Sequence, residues 1–440
     1  MARTSPGGAT AEGEVTLLHI VPGSMLGPAT SGGGAVAERV VDSPSATPSR
    51  AAGGQRFRPD IEGLRAVAVG LVLLFHGYGN PVTGGFLGVD VFFVISGFLI
   101  TNLLLAEQIK QGRISIPNFY ARRVRRILPA SALVVICTVV ATYHYLGFIS
   151  GNEAATDAKW TAVFLANIRF ALVQTDYFGS QLPPSPLQHM WSLGVEEQFY
   201  VVWPSLFALL VVIVGGARHR NALAATLVLI IGASFTWSVV QTISNPTWAY
   251  FSPLTRAWEL ALGALVAVLA PTIGRLRTGW PTELMAAAGL IGIALSAFII
   301  DPSTPYPGSA VAFPVVSTAL VMAAGCASVD TVVGRALSVR PMQWVGARSY
   351  SLYLWHWPLL VIAARYVGDD LSSVQNTGLL VLAVVASALT YRLVENPVRR
   401  AKFLASRTRL SLVIGVALMV STIFIAQCFI ATHHGSWNPI

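Results

Sequence analysis

Charge is what this sequence has least of. Only 11% of its 440 residues are Asp, Glu, Lys or Arg, against about 25% in an ordinary soluble domain. With 54% hydrophobic residues and a mean hydropathy of +0.63, the chain cannot wet the surface of a soluble globule of its size. Its excess apolar residues must face a lipid bilayer. Cysteine is nearly absent as well. Cys137, Cys326 and Cys428 each sit in an apolar run with no CxxC or metal-like spacing, which excludes a disulfide framework and a zinc site, and no metal is expected. No GxSxG elbow and no Walker A loop occur, so serine hydrolase and P-loop ATPase chemistry are weak readings.

What is present is a series of apolar segments. Residues 1–55 stand apart, rich in Gly, Ala, Ser, Thr and Pro without a sustained hydrophobic period, and read as a disordered cytoplasmic tail. From residue 64 onward, stretches of about 20 apolar residues recur, the length a helix needs to cross about 30 Å of hydrocarbon. They lie near 64–81, 86–107, 127–149, 193–215, 222–243, 256–271, 283–300, 308–328, 345–366, 375–394 and 409–430. A further stretch, 158–174, contains Lys159, Asn167 and Arg169 and is only marginally apolar.

The net charge of +9 settles that stretch. Basic clusters at Arg56/Arg58, 110–126, Arg218/Arg220, Arg275/Arg277, Arg335/Arg340 and 392–409 all fall on one side of the membrane only if 158–174 does not span. The expectation is therefore eleven spans, an all-α polytopic protein of the cell membrane. Its N-terminus is expected to be cytoplasmic, its C-terminus extracytoplasmic, and 158–174 a partial or interfacial helix outside. The basic balance marks topology, so no nucleic-acid partner is expected; the partner implied is the bilayer.

Charged residues within spans are functional candidates by default. In LRAVAVGLVLLFHG, eleven residues separate Arg65 from His76. On a helix that is three turns plus about 20°, with a rise of about 16 Å, so both side chains share one face. A histidine near neutrality can take a proton from a hydroxyl and return it to a leaving group. The competing reading is an interfacial anchor and a hydrogen-bonded core histidine. Asp90, in GGFLGVDVFFVISGFLIT, is a carboxylate inside a span that either pairs with an arginine or orients the histidine, while Gly84, Gly85, Gly88 and Gly97 suit close helix packing. In NFYARRVRRILP, Arg122, Arg123, Arg125 and Arg126 suit either a phosphorylated donor or anionic lipid headgroups. PLQHMWSLGVEEQFYVVWP carries His189, Glu196 and Glu197, and adjacent helical residues diverge by about 100°, so at most one carboxylate points into a given site. SYSLYLWHWPLL adds Tyr350, Tyr353 and His356. His189, Tyr353 and His356 are candidate substrate- or donor-binding groups, and His356 is equally a structural histidine.

In that order, FRPDIEGLRAVAV, GGFLGVDVFFVISGFLIT, FYARRVRRILP, HMWSLGVEEQFYVVWP and SYSLYLWHWP resemble the acyltransferase-3 family of integral membrane O-acyltransferases, over roughly residues 57–400. The resemblance implies a ten-helix acyltransferase core at 56–400, with 401–440 an extra transmembrane helix and short extracytoplasmic tail. It implies transfer of an acyl group, commonly acetyl from acetyl-CoA or another acyl-CoA, to a hydroxyl of an envelope glycan or glycolipid such as a cell-envelope polysaccharide. By the same resemblance His76 is the catalytic histidine, Arg65 its motif partner and the arginine cluster a donor contact. Asp90 and the Glu196/Glu197 pair join the catalytic set with less defined roles. Many relatives continue beyond an eleventh helix into an extracytoplasmic SGNH hydrolase-like domain. Here that domain is not expected after 409–430, which leaves a truncated sequence, a separate SGNH-type protein or a membrane domain acting alone. His433 and His434 read as tail residues. The lack of an HxxxxD pattern argues against the soluble-type glycerolipid acyltransferases.

Two rival functions use the same charges. A glycolipid or polysaccharide transporter or flippase would line its pathway with them and move an unmodified substrate. A donor channel or scaffold would bind the donor and hand it to a separate enzyme.

Overall fold

The computed structural model describes residues 58–433 apart from 176, 178–182, 216, 217 and 369. The expected tail at 1–55 and His434 lie outside the described residues. Among the described residues all regular structure is helical. In order these are α1 (Pro59–Tyr78), α2 (Gly88–Gln111), α3 (Ile116–Ala162), α4 (Ala166–Leu172), α5 (Met190–Val214), α6 (His219–Ser244), α7 (Pro246–Phe251), α8 (Pro253–Ile273), α9 (Trp280–Ile299) and α10 (Ala312–Ala327). They continue with α11 (Val332–Leu337), α12 (Arg340–Val367), α13 (Ser373–Thr390), α14 (Asn396–Arg400), α15 (Lys402–Ala405) and α16 (Thr408–His433). Every one of the eleven expected segments falls on one of these helices. Among the described residues nine helices are long and apolar enough to cross a membrane. The other two expected segments coincide with α10, which has only 16 residues, and with α12, whose 28 residues include Arg340, Arg348, His356 and Arg365. The chain is an all-α, multi-pass membrane protein.

The helices follow from local chemistry. Proline occupies the first turn of α1, α3, α7, α8, α9 and α12, where its missing N–H has no partner to lose. Ser372 caps α13 through a capping box with Gln375. α3 is really two helices, because Gly147 inside it has φ 77°, a left-handed conformation that glycine adopts without steric cost. The turn at Gly147 sends 148–162 off in a new direction. The marginal stretch 158–174 is then interrupted at 163–165 between α3 and α4. Its polar groups find protein partners: Lys159 with Gln427, Asn167 with the Phe251 carbonyl, and Arg169 with Asp157.

Packing is tight where glycines meet backbone. A Cβ on Gly97 of α2 would lie 1.8 Å from the Leu260 carbonyl of α8, and one on Gly263 of α8 would lie 1.9 Å from the Val94 carbonyl. The two helices therefore touch backbone to backbone, as small residues permit in membrane bundles. Outward, by contrast, large apolar side chains such as Val212, Leu229, Ile243 and Phe424 are 66–81% exposed, a surface suited to lipid and not to water. α16, the eleventh expected segment, lies along α3. Near its end, Phe429 stacks on Tyr143 and the His433 ring meets Tyr143 at a tilt, and His433 Nδ1 bonds the Phe429 carbonyl of its own helix.

Candidate active site

The C-terminal turn of α1 brings His76 into a histidine cluster centred on His356. Its Nδ1 lies 3.1 Å from His356 Nε2 on α12, and its Nε2 lies 3.1 Å from the Tyr177 hydroxyl. The His76 and His356 rings stack at 5.3 Å, and the Trp357 ring meets His76 edge-on at 4.5 Å. His189, the residue preceding α5, sits 5.7 Å from His356 between ring centroids. Its Nε2 bonds the Leu354 carbonyl at 3.2 Å. A carbonyl only accepts, so Nε2 carries the proton and Nδ1 is the lone-pair nitrogen. Tyr353 donates to the His189 carbonyl at 2.9 Å and meets Ser192 at 2.7 Å. Three of the sequence-predicted side chains, His76, His189 and His356, thus meet from three separate elements.

Two cavities flank this cluster. One, of about 90 Å³, is lined by Arg65, Arg123, Arg126, Glu196, Ser192 and Tyr353 among others. The other, of about 420 Å³, is lined by Tyr177 and Trp357, together with Glu153, Asp157, Gln188 and Arg365. Tyr353 at one cavity packs on His356 at 5.4 Å, and Tyr177 and Trp357 at the other touch His76. Residues of the arginine-lined cavity and of the polar, aromatic chamber are therefore joined through the stacked rings of His356 and His76.

The four clustered arginines separate by helix rotation. Arg123 and Arg126 line the smaller cavity. Arg123 bonds Glu197 at 2.9 Å, lies 3.6 Å from Glu196, and places its guanidinium 3.9 Å over the Tyr200 ring. Among the described residues Arg126 makes no hydrogen bond or salt bridge, and it is only partly buried. Arg122 instead turns to Glu107 at 2.6 Å. Arg125 turns to Ser411 of α16 at 2.8 Å and to the Leu404 carbonyl. Arg65 shares the mouth with Arg126 and is tied to Glu62, one turn earlier, at 3.3 Å. Of the adjacent glutamates, Glu196 lines the arginine cavity, where it accepts from Ser96 at 2.8 Å and from Tyr200. Glu197 lines a neighbouring groove, as a 100° divergence requires.

Asp90 pairs with an arginine. It lies 2.8 Å from Arg256 of α8 and accepts from the Tyr306 hydroxyl. Arg256 also reaches Glu259 at 3.2 Å and its own Nε donates to the Tyr250 carbonyl. The Tyr250 ring in turn stacks on Tyr177 at 4.5 Å. Asp90 is thus linked to the histidine cluster only indirectly, through Arg256, Tyr250 and Tyr177 in turn.

Sequence reasoning passed over Tyr177 and Arg256. Arg256 and Glu259, an i,i+3 pair at the start of an apolar segment, did carry the signal of charge within a span. Tyr177 carried none, being one aromatic in an irregular loop. It belongs to the segment between α4 and α5, and burial pushes the pKa of its hydroxyl up.

Comparison with known proteins agrees with the motifs. The model of the family described as "Acyltransferase domain" matches residues 58–392. A peptidoglycan O-acetyltransferase, OatA, of Listeria monocytogenes is 31% identical over 362 residues, covering 80% of this chain and 57% of that protein. An O-acetyltransferase OatA of Staphylococcus aureus is 30% identical over 358 residues, covering 80% of this chain and 58% of that protein. The chain thus spans a little over half the length of the curated relatives it matches. No solved structure matches the chain. With the five motifs in place on one helical bundle and three-quarters of its length matched, this chain belongs to the acyltransferase-3 family.

Proposed function

We propose that this chain is a membrane O-acyltransferase that carries an acyl group, acetyl in the first instance, from an acyl-CoA donor to a hydroxyl of an envelope glycan or glycolipid. Peptidoglycan, the acceptor for which the Listeria relative is named, is the leading acceptor. The observation that carries the reading is the chain of contacts by which His76 and His356 join Tyr353 of the arginine-lined cavity to Tyr177 of the polar chamber. The Arg65/Arg123/Arg126 mouth suits the phosphates of coenzyme A, since guanidinium forks bind phosphate oxygens in pairs. On the topology expected from the basic loops, that mouth is cytoplasmic and the Tyr177 chamber extracytoplasmic, with the N-terminus inside and the C-terminus outside.

In the step itself, His76 Nε2 accepts the proton of the reacting hydroxyl. The new ester C–O bond forms as the thioester C–S bond breaks, and the imidazolium returns the proton to the departing thiolate. The hydroxyl in contact with Nε2 is that of Tyr177, so Tyr177 either holds the acyl group as a transient ester or gives way to the acceptor hydroxyl. Where transfer stops at Tyr177, a separate SGNH-type protein is the partner to seek for the outer step. Glu197, with Glu196 close by, keeps Arg123 in place at the arginine-lined cavity. His356 positions His76, His189 packs on His356 in turn, and Asp90 acts through Arg256 and Tyr250 on Tyr177. Among the described residues no group of His, Cys, Asp and Glu is arranged to hold a metal ion.

The test is purified protein with labelled acetyl-CoA and a panel of acceptors including peptidoglycan fragments. Wild-type protein is expected to acylate an acceptor, and His76→Ala, present in the membrane at the same level, to lose that transfer. Full transfer by His76→Ala overturns the assignment. Movement of an unmodified acceptor without any donor would mark a transporter.

A further inference from the structure

We infer that the chamber beside Tyr177 and Trp357 is a saccharide-binding subsite, built for a neutral, hydroxyl-rich ring. The inference rests on the acyltransferase reading for what the bound sugar is there to do. Its walls are made by the 148–162 arm of α3, by α4, by the segment before α5 and by α12. At about 420 Å³ it falls within the range of small-molecule sites, roughly 300–1,000 Å³.

One wall is held rigidly. Ser185 donates from Oγ to Asp157 at 2.7 Å, and its carbonyl accepts from Trp357 Nε1 at 2.9 Å. Asp157 is closed on its other side by Arg169 at 3.1 Å. The Trp357 indole is thereby pinned by its N–H, with its ring bordering the chamber and 4.5 Å from the His76 ring. An aromatic ring of fixed orientation is a platform for the apolar C–H face of a sugar, leaving the ring hydroxyls free for polar groups.

The polar groups are of the kind hydroxyls need. Gln188 is 2% exposed, lines the chamber, and its Oε1 has no hydrogen-bond partner among the described residues. Buried polar atoms of folded proteins are nearly always paired, so this oxygen calls for a donor from the chamber. Arg365, held to Ser150 at 2.7 Å, offers donors at the rim, and Glu153 offers acceptors. With Asp157 and Arg169 paired to each other, Glu153 and Arg365 leave no excess of either sign. That balance favours an uncharged ligand with both donors and acceptors over a phosphate or a uronic acid, and the polar walls disfavour an acyl tail. A ring stacked on Trp357 brings its hydroxyls to the Tyr177 side of His76, where transfer would occur.

The experiment measures binding and turnover separately, on the full chain in detergent. Saturation-transfer NMR with chitotetraose, a neutral oligomer of N-acetylglucosamine, reads binding without any donor. Wild-type protein is expected to give a saturable signal. Gln188→Leu, Trp357→Ala and Glu153→Trp, the last on an exposed side chain and so harmless to folding, are each expected to weaken it about tenfold. An unchanged signal in Glu153→Trp and Trp357→Ala, or no wild-type signal with chitotetraose or with a neutral glucose tetramer, overturns the subsite. In parallel, acetyl-CoA cleavage by wild type against His76→Ala tests the acyltransferase reading. Binding without cleavage would sink that reading and leave the subsite standing; cleavage without binding would do the reverse.

Discussion

His356 Nε2 stands 3.1 Å from His76 Nδ1 across the α1–α12 contact, 280 residues away in sequence. A neutral imidazole has one N–H and one lone pair. For His76 Nε2 to serve as the base toward Tyr177, Nδ1 must donate, and His356 is its acceptor. On the proposed mechanism His356 is a positioning group that sets the tautomer. His356→Ala is expected to lower kcat for acetyl transfer by about 10- to 100-fold, less than His76→Ala, with little change in donor KM. A loss equal to that of His76→Ala would instead give His356 a direct part in the proton transfer. Radiolabelled acetyl transfer at saturating donor measures both.

Tyr177 places its hydroxyl 3.1 Å from His76 Nε2, the nitrogen proposed as the base. Tyr177→Phe removes that hydroxyl and keeps the ring that stacks on Tyr250. The variant is expected to fold normally and to lose at least tenfold in kcat. Trapping a labelled acetyl group on wild-type protein, and losing the label in Tyr177→Phe, would place the transient ester on this residue.

The arginine cluster predicts a contrast between neighbours. Arg126 lines the mouth without a hydrogen bond or salt bridge among the described residues, whereas Arg122 is engaged by Glu107. Charge-assisted hydrogen bonds contribute about 1.5–3 kcal/mol, or roughly 10- to 100-fold in affinity. Arg126→Gln should therefore raise the acetyl-CoA KM about tenfold or more, and Arg122→Ala should leave it within about twofold. Equal effects from the two variants, measured by initial rates over a donor titration, would argue against phosphate binding at this mouth.

Arg256 carries the heaviest structural demand. It is fully buried and paired to Asp90 and Glu259, and removing one member of a buried ion pair costs about 3–5 kcal/mol. Arg256→Ala should lower the thermal unfolding midpoint in detergent markedly and reduce activity with it. Asp90→Asn, which keeps the size of the side chain and leaves Glu259 to the arginine, should be milder on both measures.

Gly97 supplies a test of packing alone. A Cβ there would sit 1.8 Å from the Leu260 carbonyl, so Gly97→Ala forces α2 and α8 apart. Overpacking of this kind costs about 1–3 kcal/mol. The expected result is a lower unfolding midpoint, with donor KM unchanged in the fraction that remains folded.

Several features were legible in order because they are local. Apolar length exposed the helices, and an eleven-residue spacing placed Arg65 and His76 on one face of α1. The glycines of GGFLGVDVFFVISGFLIT did mark a close contact, at Gly97. The stretch 158–174 betrayed itself through Lys159, Asn167 and Arg169, each of which bonds within the protein. Tyr177 could not be read, since an irregular loop has no period from which direction follows.

The amino-acid sequence by itself determined the solvent, the helices and the family. Those depend on composition, on segment length and on motif order, all properties of neighbouring residues. Which arginines face the mouth, which base partners Asp90 and which histidines share a site were decided only by the tertiary structure. Arg122, Arg123, Arg125 and Arg126 are alike in sequence, and the rotation of α3 sends them to Glu107, Glu197, Ser411 and the cavity. Asp90 had a histidine and an arginine open to it, and the close approach of α2 to α8 at Gly97 and Gly263 brought Arg256 within reach. A side chain's direction around a helix is local, but what it meets there depends on which other helix the bundle packs against it.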